Sequence, residues 1–129
     1  MRGDSRLTAF VTTTDPDRAR DFYERKLGLK FLADDGFALL FDSNGTRLRV
    51  AKAQAFTPAP FTVLGWEVND MDAALEDLTR SGVAVERFPF LPQDDRGVCT
   101  FPNGDQVAWF KDPDGNTLSL ARMAPRAET

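Results

Sequence analysis

The chain of 129 residues contains no histidine. That excludes a Ser-His-Asp triad and removes the commonest ligand of a catalytic metal. The remaining groups with chemical potential are few. Glu67 is the sharpest, as a general base or as the anchor for a cationic ligand group. The alternative is that Glu67 pairs with Arg47 or Arg49, or simply faces water. Arg49 suits an anionic or carbonyl-bearing ligand, or that same ion pair. Cys99 is the single cysteine. A catalytic thiol needs an activating neighbour, so Cys99 reads as a small strand residue that can form no internal disulfide. Trp66 reads as core. Trp109 lies in Val107-Ala108-Trp109-Phe110, where the pattern leaves open whether it stacks on a flat ligand or packs inward. Phe88 and Phe90 flank Pro89 in a loop suited to the rim of a site or a dimer contact. No glycine-rich phosphate loop is present.

The elements that must position these residues are short. Leu7 to Thr13 is rich in β-branched residues and predicts a strand. Asp15-Pro16 supplies an N-cap and a first-turn proline, and Ala19, Phe22, Tyr23 and Leu27 follow at helical spacing up to Gly28. Strands are expected over Leu29 to Ala33, Phe37 to Phe41 and Arg47 to Ala51, separated by Asp/Asn/Gly turns. Ala53 to Pro60 reads as a linker. The pattern then restarts. Thr62 to Val68 predicts a strand, and Asp70 caps a helix whose stripe is Met71, Ala74, Leu75 and Leu78, closed by Gly82. Val83 to Phe88, Val98 to Phe101, Gln106 to Lys111 and Thr117 to Ala121 are the remaining strand candidates. A loose polar tail is expected after Met123.

Strand alternation sorts the side chains. Thr8, Phe10 and Thr12 share a face, as do Val63, Gly65 and Glu67. So do Arg47, Arg49 and Ala51, and likewise Thr117, Ser119 and Ala121. The opposite faces carry Val11, Leu48, Val50, Leu64, Trp66, Val68, Leu118 and Leu120, an apolar set that should pack on the two helices.

The restart is a repeat. Asp42-Ser43-Asn44-Gly45-Thr46-Arg47-Leu48-Arg49-Val50-Ala51-Lys52 matches Asp112-Pro113-Asp114-Gly115-Asn116-Thr117-Leu118-Ser119-Leu120-Ala121-Arg122 at a constant offset, and the two helices align in the same order. Two copies of one supersecondary unit are therefore expected. A net charge of -4 disfavours general nucleic-acid binding. No apolar run is long enough to span a membrane, and Met1 to Arg6 has no apolar signal-peptide core. A cytoplasmic location is the expectation.

Asp15 through Phe31 (DPDRARDFYERKLGLKF), Val68 through Leu75 (VNDMDAAL) and Phe110 through Leu120 (FKDPDGNTLSL) resemble the vicinal oxygen chelate superfamily. That group includes glyoxalase I, extradiol dioxygenases and the bleomycin resistance proteins. The resemblance runs from Leu7 to Arg122. It implies an α+β fold of two β-α-β-β-β modules with curled sheets forming a cleft, within one domain over 1–129 (module one about 7–52, linker about 53–60, module two about 62–122). It also implies a homodimer. In metal-dependent members the ligands project from the first and last strands of the modules. Those positions fall here on Thr8, Val63 and Ser119, with Arg49 as the module-one counterpart of Ser119. None is a usual metal ligand. The resemblance thus implies a metal-free small-molecule binding protein without a cofactor, like the drug-sequestering members. Its candidate ligand-binding residues are Thr8, Phe10, Arg47, Arg49, Val63, Glu67, Trp109 and Ser119. The alternatives are a lyase or dioxygenase with a divergent site, in which Glu67 is the catalytic candidate, or a subunit whose partner supplies specificity.

Overall fold

In a computed structural model the described residues are 3–125. They fall into two compact units. The first runs to Ala59 and includes Asp112–Asn116. The second comprises Pro60–Lys111 and the chain from Thr117 onward.

The first unit is a four-stranded sheet in the order β1-β4-β3-β2. Its strands are β1 (Thr8–Thr13), β2 (Lys30–Asp34), β3 (Ala38–Ser43) and β4 (Thr46–Lys52). β1 runs parallel to β4, and the other neighbours are antiparallel. Alternation buries Val11, Leu39, Phe41, Leu48 and Val50 on one face. Each such side chain contributes about 1.5–3 kcal/mol on leaving water. Asp15 caps α1 (Pro16–Arg20), its carboxylate accepting from the Arg18 amide. The spacing predicts an ordinary helix up to Gly28, yet Asp21–Lys26 winds as a π-helix. The wider turn accompanies burial of the consecutive aromatics Phe22 and Tyr23. Tyr23 is fully buried and its ring meets Phe41 at 5.8 Å.

The turn Asp112–Asn116 completes this unit. The Asp112 carboxylate accepts from the Tyr23 hydroxyl at 2.7 Å and the Asn116 side-chain amide at 2.8 Å. It also accepts from the backbone amides of Asp114 and Asn116. The Asn116 amide donates in addition to the Thr12 carbonyl at 2.9 Å. Asp114 Oδ1 takes both the amide and the hydroxyl of Thr14. Burial above all, then the charge of Asp112 and the hydrogen bond to it, push the Tyr23 phenol far above its ordinary value.

The second unit repeats the plan with sheet order β5-β8-β7-β6. It contains β5 (Thr62–Glu67), α2 (Met71–Arg80), β6 (Cys99–Thr100), β7 (Gln106–Lys111) and β8 (Thr117–Arg122). Asp70 caps α2 by accepting from the Ala73 amide. Met71, Leu75 and Leu78 are the buried stripe of that helix. Ala108, Phe110, Leu118 and Leu120 form the buried face of the sheet, where Trp66 stacks on Phe110. Both units thus show the α+β architecture expected from the repeat.

Two expectations need correction. Val83 to Phe88 is not a strand. Val85 makes one isolated bridge to Phe110, and the chain then turns away because the Phe88 amide is captured by the Gln93 side chain. The chain after Met123 is not loose throughout. The Ala124 amide donates to Asp105 at 2.8 Å, and the rest of the expected tail, like Met1 and Arg2, lies outside the described residues.

Candidate functional site

The open face of the second unit is the better-built surface. Pairing sets Gly65 beside Ser119 and Ser119 beside Trp109 in one row, with Glu67, Ala121 and Val107 in the next. This settles the orientation of Trp109. It faces away from Phe110 and Ala108, on the same side as Ser119 and Glu67. Gly65 is required by close approach. A Cβ there would stand 2.5 Å from the Ser119 hydroxyl. The middle of this face is consequently a low floor of small residues, with an indole at one side.

That indole is held. Its Nε1–H donates to the Thr62 hydroxyl at 3.0 Å, and Phe88 meets its ring edge-on at 5.5 Å. Phe88 in turn contacts Phe90, which is 79% exposed. Gln93 fixes this loop with three hydrogen bonds. Its amide group donates to the carbonyls of Glu86 and Gly97, and its carbonyl accepts from the Phe88 amide. A side chain fixed before binding loses little freedom on contact with a ligand. Glu67 is exposed, and among the described residues its carboxylate has no hydrogen bond or ion pair. Cys99 is buried and pairs with Val107 in the strand ladder, as its reading as a strand residue requires.

The open face of the first unit is charged. Thr8 pairs with Arg47 and Arg47 with Asp42; Phe10 pairs with Arg49 and Arg49 with Leu40. Arg49 donates to Asp35 at 3.0 Å, so the acid it pairs with is Asp35. Asp35 also accepts from the amides of Phe37 and Ala38, and these bonds, with Arg49, hold its carboxyl below the usual carboxylate range. Asp34 is lowered likewise, first by Lys52 and then by the Gly36 amide. Arg47 and Thr8 are exposed, as is Phe10 at 59%.

The structure therefore brings Trp109, Ser119 and Glu67 onto one face, and Thr8, Phe10, Arg47 and Arg49 onto another. Val63 stands beside a register shift between Thr62 and Leu64 and is exposed, as Gly65 and Glu67 are. Sequence reasoning missed Gln93 and Asp35. A lone glutamine in a loop carries no pattern, whereas Asp34-Asp35-Gly36 was visible as a turn but not as the clamp on Arg49.

The donor set does not fit a divalent metal. Val63 has no lone pair, Arg49 carries a fixed positive charge, and Thr8 and Ser119 offer only neutral hydroxyls. Among the described residues, no three His, Cys, Asp or Glu side chains are grouped to hold a metal ion. Nor is any helix of the described residues long and apolar enough to cross a membrane.

A fold of two β-α-β-β-β units with these turns defines a known class. Residues 6–120 match the model of the Glyoxalase/Bleomycin resistance protein/Dioxygenase superfamily, and the chain belongs to that superfamily. Solved structures agree. A superfamily member from Sphaerobacter thermophilus is 22% identical, with a TM-score of 0.74 over 95% of this chain and 100% of that one. TnmS3, an antibiotic binding protein from a Streptomyces species, is 26% identical, with a TM-score of 0.71 over 96% of this chain and 99% of that one. Lactoylglutathione lyase from Agrobacterium tumefaciens is 19% identical, with a TM-score of 0.64 over 92% and 93% of the two chains. No curated protein sequence matches the chain.

Proposed function

We propose that this protein binds a flat, largely apolar small molecule on the open face of the second unit, without a metal. The observation that carries the reading is the Trp109 indole, fixed by Thr62 and Phe88 beside the floor of Gly65 and Ser119. Aromatic stacking on such a surface needs shape rather than a reactive group. Glu67, at the next row, favours ligands with a cationic or hydrogen-bond-donating substituent. Kinship with TnmS3, an antibiotic binding protein, supports binding over turnover. The donor set argues the same way, since it offers no Lewis acid position. Exposed Phe37, Phe61 and Phe90 support self-association as a homodimer.

The chain holds two tryptophans, so Trp66→Phe leaves Trp109 as the sole indole reporter. Proflavine, a planar cation, should quench that fluorescence in the presence of a chelator. Trp109→Ala should abolish proflavine binding, and Glu67→Gln should weaken proflavine but not the neutral acridone. Binding of both dyes that survives Trp109→Ala would refute the reading.

A further inference from the structure

Arg6, Leu7, Thr8, Asp42, Gly45 and Arg47 surround a depression of about 210 Å³ at one edge of the first unit's sheet. Its charges are unbalanced. Arg20, Arg25, Arg49, Arg80 and Arg96 each hold a carboxylate. Arg6 and Arg47 do not, and among the described residues neither guanidinium has a hydrogen bond or ion pair. The depression has one acid, Asp42, whose Oδ2 accepts from the Gly45 amide at 3.4 Å. The strand register continues the row through Thr8, Arg47, Asp42 and Lys30, so a second cation stands across β3 from Arg47. The local balance is positive in a chain whose net charge is -4.

We propose that this depression binds the oxyanion group, carboxylate or phosphate, of a small molecule. Arg6 and Arg47 supply forked N–H donors that match two oxygens of such a group, and the Thr8 hydroxyl adds a third donor. Asp42 opposes the anion and limits affinity. The site lies on a different unit from the Trp109 surface and stands independently of it.

The test is amide NMR of the full chain at low ionic strength, titrated separately with inorganic phosphate and with acetate. Saturable shifts are expected at residues Arg6 to Thr8 and Gly45 to Arg47. Arg6→Ala and Arg47→Ala should each weaken binding about tenfold. Asp42→Asn should tighten it. Arg25→Ala removes the same charge at a distance and should leave it unchanged. Phosphate saturating well below acetate would assign a phosphate ester, and the reverse a carboxylate. The proposal is overturned if neither anion gives saturable shifts there, or if Arg25→Ala weakens binding as much as Arg47→Ala.

Discussion

Two hairpin turns of this molecule carry the same Asp and Gly at matching places, yet they do different work. Between β3 and β4, Ser43 pairs with Thr46 and the loop is only Asn44-Gly45, both with positive φ (47° and 92°). That is the tight primed turn that a twisted hairpin prefers. Between β7 and β8, Lys111 pairs with Thr117, and Asp112–Asn116 spans the gap. The longer loop is fastened to Tyr23, Thr12 and Thr14 rather than closing on itself. It also moves the pairing by one residue. Arg49 faces Leu40, but Ser119 faces Trp109 rather than Phe110. A one-residue slip turns side chains to the other face of a sheet. The added loop length therefore places an aromatic ring on the open surface of the second unit, where the first unit has Leu40.

The largest effect should come from breaking the longer turn. Asp112→Ala strands the Tyr23 hydroxyl, the Asn116 amide and two backbone amides, at a cost of about 3 kcal/mol or more. Asp42→Ala, at the matching place, should cost no more than about 0.5 kcal/mol. Urea denaturation of the two variants measures the gap, and equal losses would mean that the turns are equivalent after all. Next in size is Gly65→Ala, whose Cβ would collide with the Ser119 hydroxyl. A loss of about 1–3 kcal/mol is expected. Gly65→Ala combined with Ser119→Ala should recover most of it; no recovery would mean that the collision is not the cause.

Smaller effects appear at the extremes of pH. The folded Tyr23 phenol is raised above its unfolded value of 10.0. Its contribution is thus fully present below pH 10 and is lost as pH rises toward the folded value. The chain has one tyrosine, so phenolate absorbance should appear only together with alkaline unfolding. Absorbance rising near pH 10 in a folded protein would contradict the buried bond. Asp35 has the opposite sign. Its folded value is depressed, so its contribution is present above the ordinary value of 3.8 and fades as acid protonates it. The amides of Phe37 and Ala38, which donate to Asp35, should lose exchange protection in acid before the amides of β4 do.

Much of this fold was legible in the sequence because its signals are local. Asp15 and Asp70 cap the helices, Gly28 and Gly82 end them with positive φ, and the apolar alternation marks the buried faces. The parts that were not legible depend on contacts distant in the chain or on register. The 86–97 loop looked like a strand followed by a rim, because Val85 and Phe88 suit a ladder. Its course is set instead by the three hydrogen bonds of Gln93. The face of Trp109 could not be read from Val107-Ala108-Trp109-Phe110, since every one of those residues tolerates burial. The five-residue loop decides it. Alternation singled out Glu67, alternation and the family resemblance together singled out Ser119, and the structure puts both on one face with Trp109.

The most direct test of that placement is amide and indole NMR of the full chain with proflavine in the presence of a chelator. The account predicts saturable shifts at the Trp109 indole, Gly65 and Ser119, with the strands of the first unit unmoved. Shifts confined to the first unit, or binding that appears only when a divalent metal is restored, would contradict it.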